Sequence, residues 1–529
     1  MFKTKKAAAF LLSAALVVSF AGCNKGNETS VDDSFGESYP LETDVKLSYW
    51  MPLHENVTAS VATFAETEFA KEAEKKTGVK VEYLHPAVGA TTEQFNLLIA
   101  SGDLPDIILH SWFEFSGGPS KAISDGYIIP LNDYLDKYAP NLAGYLKENT
   151  DVDKMIKTDE GQYYLFPTLI EDESMLMTAG PIVRQDLLDK LNIKTPVTYD
   201  DWYNMLKKFK EAGVEIPLNY NSTNTWEIQS LIGTFGARTD FYLENGKIKF
   251  GPFDPEFKET LQMLNKWFEE GLIDRNFSTT DAKIREASML SGKIGVAYGS
   301  GGGQLGKWIG ALPKDSEIKL GTIPYPKKNA DDTGAKFKVV GDLFNSNGSA
   351  VTTSCKNPAL AVKYLDFFYG DEGHMLANFG VEGKSYNMVD GYPTYTEEIT
   401  KNPEGLSMSQ AMAKYMLSYS AKAMVQDKRY LEQYYSLPEQ QKALSDWCEA
   451  NDYAMEQKVP KILCTSEEAF EMAEITNNVN TYRDQMILKF ITGTESFDNY
   501  DAFINQMKAF KIEKAVEIQQ NAYERYMKR

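Results

Sequence analysis

The stretch that decides the fold runs from Val45 to Leu109. It opens on the strand-like run Val45-Lys46-Leu47-Ser48-Tyr49-Trp50. A helix follows with Ala62, Ala65, Phe69 and Ala73 at helical spacing, and Gly78 stands where a C-cap belongs. Then come a strand at Val79–Leu84, a helix using Phe95, Leu98 and Ile99 that ends at Gly102, and a strand at Asp106–Leu109. Strands joined through helices need right-handed crossovers and so form a parallel, doubly wound sheet. Ligands of such sheets meet the carboxyl ends of the strands, here Trp50 and the run His110-Ser111-Trp112.

A second set of elements begins after Gln162–Pro167. Thr198-x-x-Asp201 predicts a capping box for a helix carrying Trp202, Leu206 and Phe209 and ending at Gly213. Further on the pattern predicts a helix over Pro255–Glu270, a strand over Lys293–Tyr298, and a helix opening at Asn357-Pro358 and closing at Gly370. Tyr500–Lys528 reads as one long helix docked through Phe503, Met507, Phe510, Val516, Tyr523 and Tyr526.

Upstream of the first strand lies a different kind of sequence. Lys3, Lys5 and Lys6, an apolar run Ala7–Phe20 and small residues before Cys23 describe a secretory signal peptide over 1–22, too short for a stable span. Phe20-Ala21-Gly22-Cys23 resembles a bacterial lipobox, with Phe20 where leucine is usual, and implies lipidation of Cys23. Residues 23–40, poor in large apolar side chains, are expected to form a flexible tether. With 529 residues the chain suits two large lobes, and its formal charge of −20 argues against nucleic acid and, less firmly, against a strongly anionic ligand. Cys355, Cys448 and Cys464 contain no CxxC, so neither a disulfide framework nor a thiolate zinc site is implied; a Cys448–Cys464 bridge stays open.

Several runs in their order resemble one family. Phe95–Asp106 (FNLLIASGDLPD), Ile129–Leu135 (IPLNDYL), Ile182–Leu188 (IVRQDLL) and Gly292–Ala297 (GKIGVA) are similar to family 1 of the extracellular solute-binding proteins of ABC importers. Gly380–Tyr386 (GVEGKSY) and Gly391–Thr394 (GYPT) resemble its large lipoprotein branch associated with oligosaccharide uptake. The resemblance implies an α/β fold of two lobes, each a mainly parallel sheet with flanking helices, hinged about a ligand cleft. It implies crossings near Phe166–Met177 and Val339–Val351, hence one lobe from 41–167 plus about 345–405 and another from 168–344 plus about 406–529. Many large members carry a calcium-loop-like insert after the Thr-x-x-Asp helix; here Phe209–Pro217 joins directly, and no calcium is expected there.

Catalytic chemistry finds little support. Gly301-x-x-x-x-Gly306-Lys307 mimics a P-loop, but Trp308 occupies the position of the magnesium-binding hydroxyl; the glycines either let backbone approach a ligand or form a mobile loop. His54, His85, His110 and His374 have no metal spacing, and there is no G-x-S-x-G elbow. The expected site is instead aromatic, because flat rings stack on the C–H face of a sugar while carboxylates take its hydroxyls. Trp50, Trp112, Trp226 and Trp308, with Tyr298, are the candidate ring platforms, and Glu114, Asp342 and Glu382 the candidate acceptors; Trp202, Trp267 and Trp447 belong to helical faces and the core. The expectation is a non-enzymatic, monomeric, lipid-anchored binding subunit on the outer face of a Gram-positive type membrane. It would need no metal or cofactor and would deliver an oligosaccharide to an ABC permease. The alternatives are a secreted carbohydrate-active enzyme and a peptide-binding lipoprotein.

Overall fold

The computed structural model describes residues 34–220, 225–417 and 423–529. The signal peptide, Cys23 and the start of the tether lie outside the described residues, as does the side chain of Trp226.

Two sheets organise the chain. The first has six strands in the order Met424–Gln426, Phe166–Ile170, Phe344–Val351, Ile107–Ser111, Lys46–Trp50, Lys80–Leu84. Only Phe344–Val351 runs against the others. The second has four strands, Leu320–Thr322, Ala179–Arg184, Ile294–Ser300 and Ile216–Asn219. Each sheet with its helices encloses its own large apolar core, one centred on Phe95, Trp112 and Phe166, the other on Trp202, Trp267 and Tyr298.

Sequence patterning places most elements correctly. The helix Glu68–Thr77 buries Phe69, Ala70 and Ala73 and stops at Gly78, whose φ of 75° only glycine adopts cheaply. A Cβ there would also come within 2.2 Å of the Leu41 carbonyl oxygen. The predicted start of that helix is wrong: Phe64–Glu66 forms a separate 3₁₀ turn, and Thr67 caps the helix by accepting the Ala70 amide. Thr198 and Asp201 make the expected reciprocal capping box of Tyr199–Glu211.

The chain passes between the lobes three times. Strand Phe166–Ile170 leaves the first lobe and Ala179 opens the second; the chain returns between Thr322 and Phe344; and it leaves again after Gln426. The last passage lies beyond the expected boundary near 405. Ala413, Leu417 and Met424 pack in the first core, so 406–417 and 423–426 belong to the first lobe, held by a three-residue strand too short to show a period.

Two further expectations change. The tether ends earlier than 40, because Phe35 is buried against Tyr138 and the Tyr39 hydroxyl donates to the Lys363 carbonyl at 2.6 Å; two aromatics suffice to pin a polar segment. The carboxyl-terminal segment is two helices, Tyr500–Ala509 and Ile512–Tyr526, broken where Lys511 takes φ of 66°. Cys355 is buried, and Cys448 and Cys464 are free thiols.

Candidate functional site

All three passages use the same edges of the two sheets. In the first lobe this is the edge at Trp50, Ser111, Ile170, Phe344 and Gln426, the carboxyl ends of its parallel strands. In the second it is the edge at Ala179, Asn219, Ser300 and Thr322. These edges therefore face one another across the cleft, as the topological rule requires.

A cavity of about 310 Å³ opens on the first lobe's edge, lined by Leu53, Thr91, Thr92, His110, Ser111, Glu114 and Asn347 among others. A shallower hollow of about 720 Å³ over Gly89–Leu97 adjoins it and shares Thr91 and Thr92. These two threonines open the helix Thr91–Ser101, whose N-cap, Ala90, supplies no side-chain hydrogen bond, so first-turn amides remain available. Asn347 is delivered by an irregularity in Phe344–Val351: pairing slips between Phe344 and Gly348, and Ser346 takes φ of 71°. A bulge of this kind re-aims side chains at a strand end.

His110 is the most distinctive lining residue. Its ring lies flat on Phe95 with centroids 3.6 Å apart and edge-on to Trp112. It is 9% exposed, and its ring nitrogens have no hydrogen-bond partner among the described residues. Burial pushes its imidazole down to about 4, so it is neutral near neutral pH.

Of the expected aromatic platforms, Trp50, Trp112 and Tyr298 stand at or next to the predicted strand ends and Trp308 on the short helix Lys307–Ala311, all with their rings turned inward. Trp50 and Trp112 pack around Phe95 in the first core, Trp112 fully buried. Tyr298 stacks on Tyr220 and accepts the Tyr325 hydroxyl, and Trp308 lies 5.8 Å beneath the Arg285 guanidinium, which pairs with Glu227. In this arrangement these rings are buried in the two cores and offer a ligand no face. Among the acids, Glu114 lines the cavity. Asp342 is tied to Lys458 at 2.5 Å and to Lys461, fastening the second passage to the carboxyl-terminal piece. Glu382 is an exposed turn residue before the hairpin strand Tyr386–Val389 and does not line the cavity.

The glycine run is neither ligand cradle nor loose loop. A Cβ on Gly301 or Gly302 would meet the ring of Tyr435 or Tyr434 at 2.6 Å, so the glycines admit the third passage against the second lobe. Met175, Leu431 and Tyr435 make a small separate core between the lobes. Beside it, Asp427 receives His374 at 3.0 Å and Arg429. Burial opposes the Asp427 charge, but those donors outweigh it and hold its carboxyl well below the usual range. Burial pushes Glu171 up against the opposing Lys428 amide. Glu171, His374 and Asp427 have ligand atoms within 4.8 Å of one another, yet a cation would have to displace Arg429. At the position of the calcium-loop insert, only Ala212–Glu215 separates helix Tyr199–Glu211 from strand Ile216–Asn219.

Comparison with known proteins accords with this geometry. The model of the bacterial extracellular solute-binding protein family matches residues 58–375. The chain is 24% identical to the fructooligosaccharide ABC transporter substrate-binding protein FusA of Streptococcus pneumoniae serotype 4, over 99% of both chains. It is 25% identical to the polygalacturonan/rhamnogalacturonan-binding protein YtcQ of Bacillus subtilis, over 71% of this chain and 73% of that one. The crystal structure of alginate-binding protein AlgQ2 without calcium ion superposes with a TM-score of 0.72 at 24% identity, covering 92% of this chain and all of the other.

Proposed function

We propose, from the premise that this chain belongs to the bacterial extracellular solute-binding proteins, that its solute is an oligosaccharide, captured between the lobes and passed to an ABC permease. The observation that carries the reading is the pair of hollows sharing Thr91 and Thr92 on the cleft edge. A cavity that adjoins an open groove suits a chain of sugar units better than a single one, and the hydroxyls, amide and imidazoles in its lining suit hydroxyl groups. Relatives named for fructooligosaccharide and for polygalacturonan/rhamnogalacturonan support the same class. Capture works by differential contact: a ligand touching both edges favours the closed arrangement only by the interactions it gains there. Three passages and a small tyrosine-rich core between the lobes are the elements that would bend.

Cys23 would carry the lipid that holds this receptor, as a monomer, beside its permease on the outer face of a Gram-positive membrane, where tethering raises its effective concentration. The test is a thermal-shift screen of the mature chain against mono- and oligosaccharides and peptides. A shift with an oligosaccharide recovered unchanged after hours is expected. A shift with peptides alone, or conversion of the glycan to product, would overturn the reading.

A further inference from the structure

The cavity on the first lobe's edge has a chemistry that discriminates among oligosaccharides. Its lining contains one carboxylate, Glu114, and neither lysine nor arginine. Sites built for carboxylates present guanidinium or ammonium groups, which supply the charge-assisted hydrogen bonds an acid needs on leaving water. Here an incoming carboxylate would meet only Glu114, the imidazoles of His54 and His110, and uncharged groups. The first-turn amides at Thr91 and Thr92 are the one electropositive backbone feature of the lining, and Glu93 follows them directly.

His110 supplies the complementary chemistry. It is nine-tenths buried, lines the cavity and has both ring nitrogens unpartnered among the described residues. Ring nitrogens that reach the cavity without a protein partner are left for a ligand to complete. A neutral imidazole offers one donor and one acceptor nitrogen, and a hydroxyl can serve either. A carboxylate can only accept, so it would leave the acceptor nitrogen facing lone pairs. The flat stack of His110 on Phe95 holds the ring in place before any ligand arrives.

We propose that this cavity receives a neutral glycosyl unit hydrogen-bonded by His110, and that Glu114 turns away a uronate. This rests on the carbohydrate reading above and sharpens it to a substrate class: neutral oligosaccharides, with polyuronates excluded.

The experiment is calorimetric titration of the mature chain with stachyose, nystose and maltotetraose as neutral probes and tetragalacturonate as the acidic one. The unmodified protein, His110→Phe and Glu114→Gln are compared. At least one neutral tetrasaccharide should bind, with tetragalacturonate weaker by about a hundredfold. His110→Phe, which keeps a flat ring on Phe95, should weaken the neutral ligand by about tenfold, the loss of a buried hydrogen bond. His110→Asn, which restores a donor and an acceptor, should recover part of it, so that a packing effect and a hydrogen-bonding effect separate. Glu114→Gln, at an exposed position, should narrow the gap to tetragalacturonate by about fivefold while leaving the fold intact. Tighter binding of tetragalacturonate than of every neutral probe would overturn the proposal, as would unchanged neutral affinity in His110→Phe; both leave the carbohydrate reading standing. Binding of none of the four, with none in the wider saccharide screen, would instead fell that reading and this inference with it.

Discussion

His110→Phe has a consequence for stability that can be worked out without any ligand. Burial lowers the imidazole from its ordinary 6.5 to about 4 in the folded lobe. The unfolded chain takes up a proton near pH 6.5, whereas the folded one does so only near pH 4. A depressed folded value means that the contribution is fully present above 6.5 and is lost as pH falls toward 4. Between pH 7 and pH 5 this single group should cost the unmodified protein about 2 kcal/mol, rising to about 3 kcal/mol below pH 4. Phenylalanine keeps the ring on Phe95 and removes the proton uptake. The assay is urea unfolding followed by tryptophan fluorescence at each pH, to which Trp50 and Trp112 contribute from this lobe, Trp112 edge-on to His110 at 6.1 Å. His54 and Glu114, which share the cavity, are the same in both proteins, so their contributions cancel in the comparison. The unmodified protein should lose about 2 kcal/mol more than the variant on acidification. Equal losses would refute the assignment of a buried neutral imidazole.

Other substitutions probe the frame around the site. Asp427→Asn removes the partner of His374 and Arg429 and should cost about 3 kcal/mol by urea unfolding, since it leaves their donors without a carboxylate. Because the Asp427 carboxyl lies below its ordinary range, its stabilisation is present above about pH 4 and is lost as pH falls below that; the variant should show a shallower acid transition. Gly78→Ala should destabilise the first lobe by more than about 1 kcal/mol, from the positive φ and the Leu41 carbonyl together. Thr198→Ala should cost about 1 kcal/mol, confined to the unfolding of the second lobe.

The parts of the fold legible in the sequence are those set by local rules. Gly78, Gly102 and the Thr198–Asp201 box end or begin helices by chemistry contained within a few residues, and the structure has each of them in that role. The third passage between the lobes was not legible. Strand Met424–Gln426 is three residues long and earns its place by pairing with Phe166–Ile170, more than two hundred residues away in the chain. The break at Lys511 was hidden for a related reason: Phe503, Met507, Val516 and Tyr526 fit one helical period, and a single left-handed residue between two helices barely disturbs that count.

The site was half legible, and the missing half has a physical cause. Topology tells which strand ends face the cleft, and Trp50, Trp112, Tyr298 and Trp308 do stand on the two facing edges or just beyond them. It does not tell which way a ring points. A tryptophan that can bury nearly all its surface gains several kcal/mol by turning into the core, and at each of these positions a neighbouring aromatic or cation waits there to receive it. The consequence runs against composition-based intuition about sugar sites. With the large rings buried, the polar groups left to touch a ligand at the first lobe's edge are hydroxyls, an amide, a carboxylate and imidazoles, and a histidine that stacks on Phe95 while its nitrogens have no protein partner becomes the residue most able to select. No spacing rule could single out His110, because what sets it apart is the absence of a partner, a property of the packed lobe and not of the chain.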